Sequence, residues 1–176
     1  MVLESGFAGA SHRLVAQRAG LPLASTTYYF TSLDDLLAEA LRDLSARWSA
    51  AARAALDRAP ARVSTRQCAA LALDLVAPAP SGGDDLATTL LYERYLEAAR
   101  HAHLRPLVHA FDRDLDALVL ELLGRSELPH TVAFARVVVA VADGALVRGL
   151  AEGTGRAAAR RTVWTFLDLV SADARP

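Results

Sequence analysis

The stretch AGLPLASTTYYF, Ala19 to Phe30, decides the assignment of the fold. Gly20 can adopt the left-handed conformation that ends a helix, and Pro22 suits the first position of the next one. The two helical turns that follow, to about Tyr29, carry small hydroxyl side chains and two tyrosines. This segment is too polar for a core helix, so we expect it to present its outer face to a partner.

A second short helix precedes this stretch. Ser11 can cap the segment SHRLVAQRA, in which Val15 and Ala19 are expected on one face. Two short helices joined by Gly-Leu-Pro have the layout of a helix-turn-helix, whose second helix enters the major groove of DNA. A helical hairpin packed inside an ordinary bundle is the structural alternative.

Helical periodicity and capping signals continue along the rest of the chain. Apolar residues make up 53% of the sequence and aromatic residues only 6%, which favours an all-α protein. After the fragment VLES before Gly6, the sequence predicts eight helices, at about 11–19, 22–29, 32–58, 62–77, 84–102, 106–123, 130–150 and 156–170. We expect a DNA-binding module over residues 1–48, including the start of the long third helix, and a ligand-binding and dimerisation domain over 49–176.

The bulk composition excludes several classes of protein. The net charge is −1, so any contact with nucleic acid must rest on a local patch. Cys68 is the single cysteine, which rules out an intramolecular disulfide framework and indicates a small buried apolar residue in a reducing cytosol. No apolar run approaches the length of a membrane span, and the N-terminus does not resemble a signal peptide. These features predict a cytoplasmic protein without a membrane partner.

The predicted DNA-contacting residues occupy the outer faces of the two short helices. The second helix needs small hydroxyls and methyl groups so that its backbone can approach the bases. The first turn of the preceding helix can meet phosphates, and no acid lies between Gly6 and Phe30. The candidates are Ser11, His12, Arg13, Leu23, Ala24, Ser25, Thr27, Tyr28 and Tyr29.

The segment SHRLVAQRAGLPLASTTYYFTSLDDLL resembles the DNA-binding module of the TetR family of bacterial transcriptional repressors. LYERYLEAARHAHLRPL and VADGALVRGL are similar to that family's regulatory region. The resemblance implies a homodimer that binds a palindromic double-stranded DNA operator and is released by a small-molecule inducer. The last two predicted helices would then pair with their symmetry mates in a four-helix interface.

Two features favour another function, a helical dimer that binds a small molecule or protein but no longer binds DNA. Leu33 stands where the family has a phosphate-binding basic residue, and only the last turn of the family's first helix precedes Gly6. We expect that shortening to reflect a late start or a truncation. An enzyme is disfavoured, because the sequence contains no nucleophile–base pair and no phosphate loop.

The predicted inducer pocket lies between the later helices and is mainly apolar with a few polar groups. Its candidate residues are Tyr92, Tyr95, His109, Phe111, Arg136 and Asp143, with Glu93 and Arg94 beside them. Asp143 is conspicuous in a nearly all-apolar helix. A hydrogen bond or ion pair between packed helices explains it as well as a ligand contact does.

Two polar clusters are interpreted as structural. His101, His103 and His109 lie near Asp112, but 101 and 103 are two positions apart on a helix end and should point in different directions. No metal site and no cofactor are therefore predicted. Glu93 and Glu97 alternate with Arg94 and Arg100, which favours a solvated ion-pair face over paired catalytic acids.

Overall fold

The computed structural model describes residues 10–78 and 85–173, and that part of the chain is built from α-helices. The all-α prediction is confirmed, whereas VLES and most of the glycine-rich loop near residue 81 lie outside the described residues. The helices are α1 (His12–Ala19), α2 (Leu23–Tyr29), α3 (Leu33–Asp57), α4 (Thr65–Val76), α5 (Asp85–Arg100), α6 (Arg105–Leu123), α7 (Val132–Glu152) and α8 (Gly155–Asp173), with a 3-10 turn at Ala102–Leu104.

Capping residues set most of the helix ends. Ser11, Ser32 and Thr131 each accept a hydrogen bond from a backbone N–H three residues ahead, at 3.1 to 3.2 Å. Gly20 and Gly153 end α1 and α7 with φ of 66° and 65°, which only glycine adopts without strain. The first two helices therefore form the tight pair that the sequence predicts.

The main core surrounds α4. Cys68, Ala72 and Leu75 of this helix are fully enclosed by side chains from α3, α6, α7 and α8. Cys68 is the buried small residue expected from the sequence, and burial raises the pKa of its thiol to about 11. One tight approach joins the last two helices, because a Cβ on Gly149 would lie 3.2 Å from the carbonyl oxygen of Gly155.

A smaller core joins the helix-turn-helix to the bundle. It contains one buried residue from before α1 and others from α3, the end of α5, the 3-10 turn and the start of α6, namely Ala10, Leu37, Ala38, Leu41, Ala98, Leu104 and Val108. The predicted module boundary at 48/49 falls inside α3, which runs unbroken from one core to the other. The division into two domains stays a prediction.

Arg125 fixes the far end of α3. Its Nη1 donates to the carbonyl oxygens of Leu56 at 2.8 Å and Ala59 at 3.2 Å. Its own carbonyl accepts from the N–H of Val63 at 2.9 Å. These bonds tie the end of α3, the following loop and the end of α6 into one unit.

The structure adds the orientation of α1 and moves one helix end. Ala16 is the buried residue of α1, while Val15 is half-buried and Ala19 is exposed. The fifth helix ends at Arg100, not near residue 102, because His101 adopts an extended conformation with φ −120° and ψ 94°.

Candidate nucleic-acid interface and ligand site

The second helix of the helix-turn-helix presents a bare outer face. Tyr28 and Tyr29 are 82% and 75% exposed, and their rings meet edge to face at 5.2 Å. Leu23, Ala24 and Thr27 are also exposed, while Ser25 is half-buried. This surface consists of hydroxyls, methyl groups and phenol rings, the groups that contact phosphates and base edges.

Thr26 holds α2 against α1. It is 5% exposed, and its hydroxyl donates to the carbonyl oxygen of Leu23 at 2.9 Å, with that of His12 at 3.4 Å. A threonine thus packs this short helix inward, and its neighbours Ser25 and Thr27 are left on the outer side.

The first turn of α1 is only partly available to a phosphate. Arg13 is exposed, whereas the hydroxyl of Ser11 is occupied as the helix cap. His12 is half-buried, and its Nδ1 has no hydrogen-bond partner among the described residues. Of the three predicted contacts in this turn, Arg13 therefore has the side chain most accessible to a phosphate.

A cleft of about 710 Å³ lies between α5, α6 and α7. It includes four of the six predicted ligand residues: Tyr95, His109, Arg136 and Asp143. Tyr92 reaches it through a hydrogen bond from its hydroxyl to Asp143 Oδ1 at 3.1 Å. Phe111 does not line this cleft, because it is buried in the main core against Trp48, with ring centroids 6.2 Å apart.

The sequence analysis missed two acids of this cleft. Asp112 accepts a hydrogen bond from the Tyr95 hydroxyl at 2.8 Å, and Asp116 forms an ion pair with Arg136 at 2.9 Å. The sequence did contain a signal for these two acids, because His109, Asp112 and Asp116 lie at i, i+3 and i+7 along one face of α6. Exposed Arg113 completes the polar part of the lining.

Arg94 lies behind the cleft and is 1% exposed, so the predicted solvated ion-pair face is wrong. Its guanidinium carbon is 3.7 Å from the ring centre of Phe111 and 4.7 Å from that of Tyr95. Its Nη2 lies 3.6 Å from Asp112, while Nε and Nη1 have no partner among the described residues. Glu97 is also buried, at 9% exposure. Helical spacing alone gave no sign of this burial, because it comes from contacts with α3 and α6.

Asp143 is a weaker acid in this cleft than a free aspartate. Burial raises the pKa of its carboxyl to about 6, against the opposing effects of the Tyr92 hydrogen bond and the Arg94 charge. Burial likewise raises the pKa of the Tyr92 and Tyr95 hydroxyls. Asp112 and Asp116 each have an arginine within salt-bridge distance. Among the described residues, Asp143 has no such partner.

The expected divergence of His101 and His103 is also wrong. Each of them and Asp34 offers one ligand atom within 4.8 Å of the others, so this group could hold a metal ion. His109 and Asp112 are not part of it and belong to the cleft.

Comparisons with known proteins identify the family to which the chain belongs. A family model described as the tetracyclin repressor-like C-terminal domain matches residues 63–169. The multidrug binding protein EbrR in complex with proflavin is 32% identical, with 96% of this chain and 92% of that chain covered and a TM-score of 0.72. The putative transcriptional regulator SCO7518 from Streptomyces coelicolor A3(2) is 30% identical, with coverages of 83% and 78% and a TM-score of 0.64.

A transcriptional regulator from Rhodococcus sp. Rha1, RHA1_ro04179, shares the fold with a TM-score of 0.78 at 19% identity, covering 99% of this chain and 93% of that one. No curated protein sequence matches the chain significantly. Among the described residues, no helix is both long and apolar enough to cross a bilayer.

The chain has a helix-turn-helix joined to a helical bundle, which is an architecture of DNA-binding transcriptional regulators. Within that class, the chain belongs to the TetR family. The family model is described as repressor-like, and two of the similar proteins are described as transcriptional regulators, one of them as a putative one.

Proposed function

We propose that this protein is a repressor that binds a palindromic operator as a homodimer and leaves it when a small molecule binds. The exposed outer face of α2, bordered by Tyr28 and Tyr29 at 82% and 75% exposure, is the observation that carries the proposal. Residues 10–30 contain no acid, so this face can approach a polyanion. Such a regulator would act in the cytoplasm, where its DNA is.

The dimer is proposed from the outer surfaces of the last two helices. α7 exposes Val132, Val137 and Val147 at 45% to 50%, and α8 exposes Leu169 at 66%. Apolar side chains exposed on two adjoining helices are typical of an interface between identical subunits. A symmetric pair would hold two copies of α2 about 34 to 36 Å apart, one turn of DNA.

A matched pair of variants tests the DNA interface. Ala24 and Ala51 are both exposed on helices, but only Ala24 lies on α2. Ala24→Asp adds a charge that suits the start of a helix yet repels phosphate, so operator affinity should fall about tenfold or more. Ala51→Asp should leave it unchanged.

The measurement is a mobility shift at fixed salt, with the promoter region of the protein's own operon. Failure of the parent protein to bind any palindrome there would contradict operator binding and favour a dimer that no longer binds DNA. Equal affinity of the two variants would contradict the use of α2.

Two exposed leucines test the dimer in the same way. Leu169 on α8 is 66% exposed and Leu96 on α5 is 56% exposed. Leu169→Asp should raise the dimer dissociation constant about tenfold or more in sedimentation equilibrium, because it places a charge in an apolar contact. Leu96→Asp should not. A parent protein that sediments as a monomer would refute the proposal.

The cleft favours a planar organic cation as the inducer. Asp143 is half-buried beside Tyr92 and Tyr95 and has no arginine partner among the described residues, so a cation would find both an acceptor and aromatic faces. EbrR has been crystallised with proflavin and with ethidium, which are both planar aromatic cations.

Fluorescence titration with proflavin and ethidium tests the ligand class. It is done without DNA, because both dyes intercalate. Asp143→Asn should weaken binding about tenfold or more, whereas Asp43→Asn, on the exposed face of α3, should not. Unchanged affinity in Asp143→Asn would exclude Asp143 from the site, and no binding of either dye would exclude this ligand class.

A further inference from the structure

Three metal-binding side chains meet where the helix-turn-helix joins the bundle. Asp34 lies in the first turn of α3, and His101 and His103 lie in the connection between α5 and α6. Each offers one ligand atom, and these atoms lie within 4.8 Å of one another. His103 Nδ1 lies 4.0 Å from Asp34 Oδ2.

The backbone around the cluster is held in place from both sides. Ser32 caps the turn that carries Asp34, and the extended conformation of His101 redirects the chain into the 3-10 turn that carries His103. Leu104, directly after, is fully buried in the small core that also contains Leu37 of α3. The three side chains therefore project from packed elements, which favours a preorganised site.

Two imidazoles and one carboxylate suit zinc and similar divalent transition metals better than magnesium or calcium, which prefer oxygen ligands. Zinc holds nitrogen and oxygen ligands at about 2.0 to 2.2 Å, so neighbouring ligand atoms lie about 3.4 Å apart in a tetrahedron. Because the three atoms now lie within 4.8 Å of one another, they would have to move closer by up to about 1.4 Å. Their side chains are 38% to 56% exposed and have room to do so.

Glu97 lies close to one of the histidines. Its Oε2 lies 3.5 Å from His101 Nε2, and its Oε1 accepts a hydrogen bond from Arg100 at 2.9 Å. A carboxylate that accepts a hydrogen bond from a metal-binding imidazole orients the ring and increases its basicity, and Glu97 is near enough to His101 to take that position. The buried position of Glu97, left unexplained by the ligand cleft, is consistent with this role.

We infer that Asp34, His101 and His103 form a site for a divalent transition-metal ion of the zinc class, with the fourth coordination position open to solvent. The ion would tie the first turn of α3 to the α5–α6 connection. Tyr29, the last residue of α2, is five positions before Asp34, so the ion would also restrict how α2 is held on the bundle.

Metal binding is tested first, on the full chain without DNA. Zinc is titrated by calorimetry, and cobalt is used as a probe because its visible absorption reports tetrahedral coordination. We expect one ion per chain. His103→Ala and Asp34→Asn should each weaken binding about tenfold or more, since each removes a ligand.

His130→Ala is the matched control, because this histidine is exposed and lies outside both the cluster and the ligand cleft. It should keep the parent affinity. Equal affinities in His103→Ala and His130→Ala, or no zinc binding by the parent at micromolar concentration, would overturn the inference. Thermal melts of all variants without metal show that they fold.

The regulatory consequence rests on the proposed function and is tested separately. Operator affinity is compared with one equivalent of zinc and with a chelator, in the parent and in His103→Ala. A change in the parent that His103→Ala abolishes supports coupling between the two sites. Zinc binding without any change in operator affinity would overturn the coupling but not the site, and loss of DNA binding under both conditions would count against the proposed function alone.

Discussion

Asp143→Asn should stabilise the protein at neutral pH and have little effect in acid. Burial raises the pKa of this carboxyl from its ordinary 3.8 to about 6, so at neutral pH the folded protein contains an ionised group that is poorly solvated. Asparagine has nearly the same shape, and its oxygen can still accept the hydrogen bond from the Tyr92 hydroxyl, which is 3.1 Å from Asp143.

The size and sign follow from proton linkage. Between the unfolded and folded pKa values the folded state binds more protons, so this carboxyl makes stability fall as pH rises through that window. The contribution is complete below pH 3.8 and is lost above about 6. A pKa difference of this size corresponds to about 2 to 3 kcal/mol in the free energy of unfolding.

The assay is urea unfolding followed by circular dichroism from about pH 4 to pH 7.5, at one protein concentration because a dimer's stability depends on it. The stability of Asp143→Asn relative to the parent should increase by about 2 to 3 kcal/mol across this range. Asp43→Asn, at an exposed position on α3, is the matched control. If the parent and Asp143→Asn lose stability in parallel, the carboxyl is not desolvated as described.

Three further changes test the packing. Gly20→Ala should lower the free energy of unfolding by about 1 to 2 kcal/mol, because φ is 66° at this position. No atom lies within 4 Å of an added Cβ, so the loss would come from the backbone alone, and a loss near zero would contradict the strain. The Cys68 thiol, buried with its pKa raised to about 11, should react with a disulfide reagent only as fast as the protein opens, and fast reaction of the native protein would contradict its burial. Phe111→Ala should cost about 3 to 5 kcal/mol by the same measurement, because the ring contacts both Trp48 and Arg94; a loss below about 1 kcal/mol would mean that the site collapses around it.

Local chemistry made much of the fold predictable. Ser11, Ser32 and Thr131 cap helices by bonding to their own chain, and Gly20 and Gly153 end helices by their own backbone preference. None of these five signals needs a distant partner. The helix-turn-helix followed from the signals at Ser11 and Gly20, while the all-α class followed from the composition.

Features set by distant contacts could not be predicted in this way. Arg94 has the sequence neighbours of a surface residue, but the rings of Phe111 and Trp48, from other helices, help to enclose it. His101 and His103 diverge on a regular helix, but the chain turns at His101 and brings them together. Phe111 fits an apolar pocket by type, yet the rotation of α6 directs it into the core.

The attachment of α3 gives it the mechanics of a lever. Arg125 binds the backbone at Leu56, and the main core encloses α3 as far back as Trp48, whereas the opposite end carries the helix-turn-helix on a much smaller core. At 1.5 Å per residue the arm from Trp48 to Leu33 is about 22 Å long, so a tilt of about 5° displaces its tip by about 2 Å. An angular change too small to disturb the packing at the fixed end is thus magnified into a shift of atomic size at the tip.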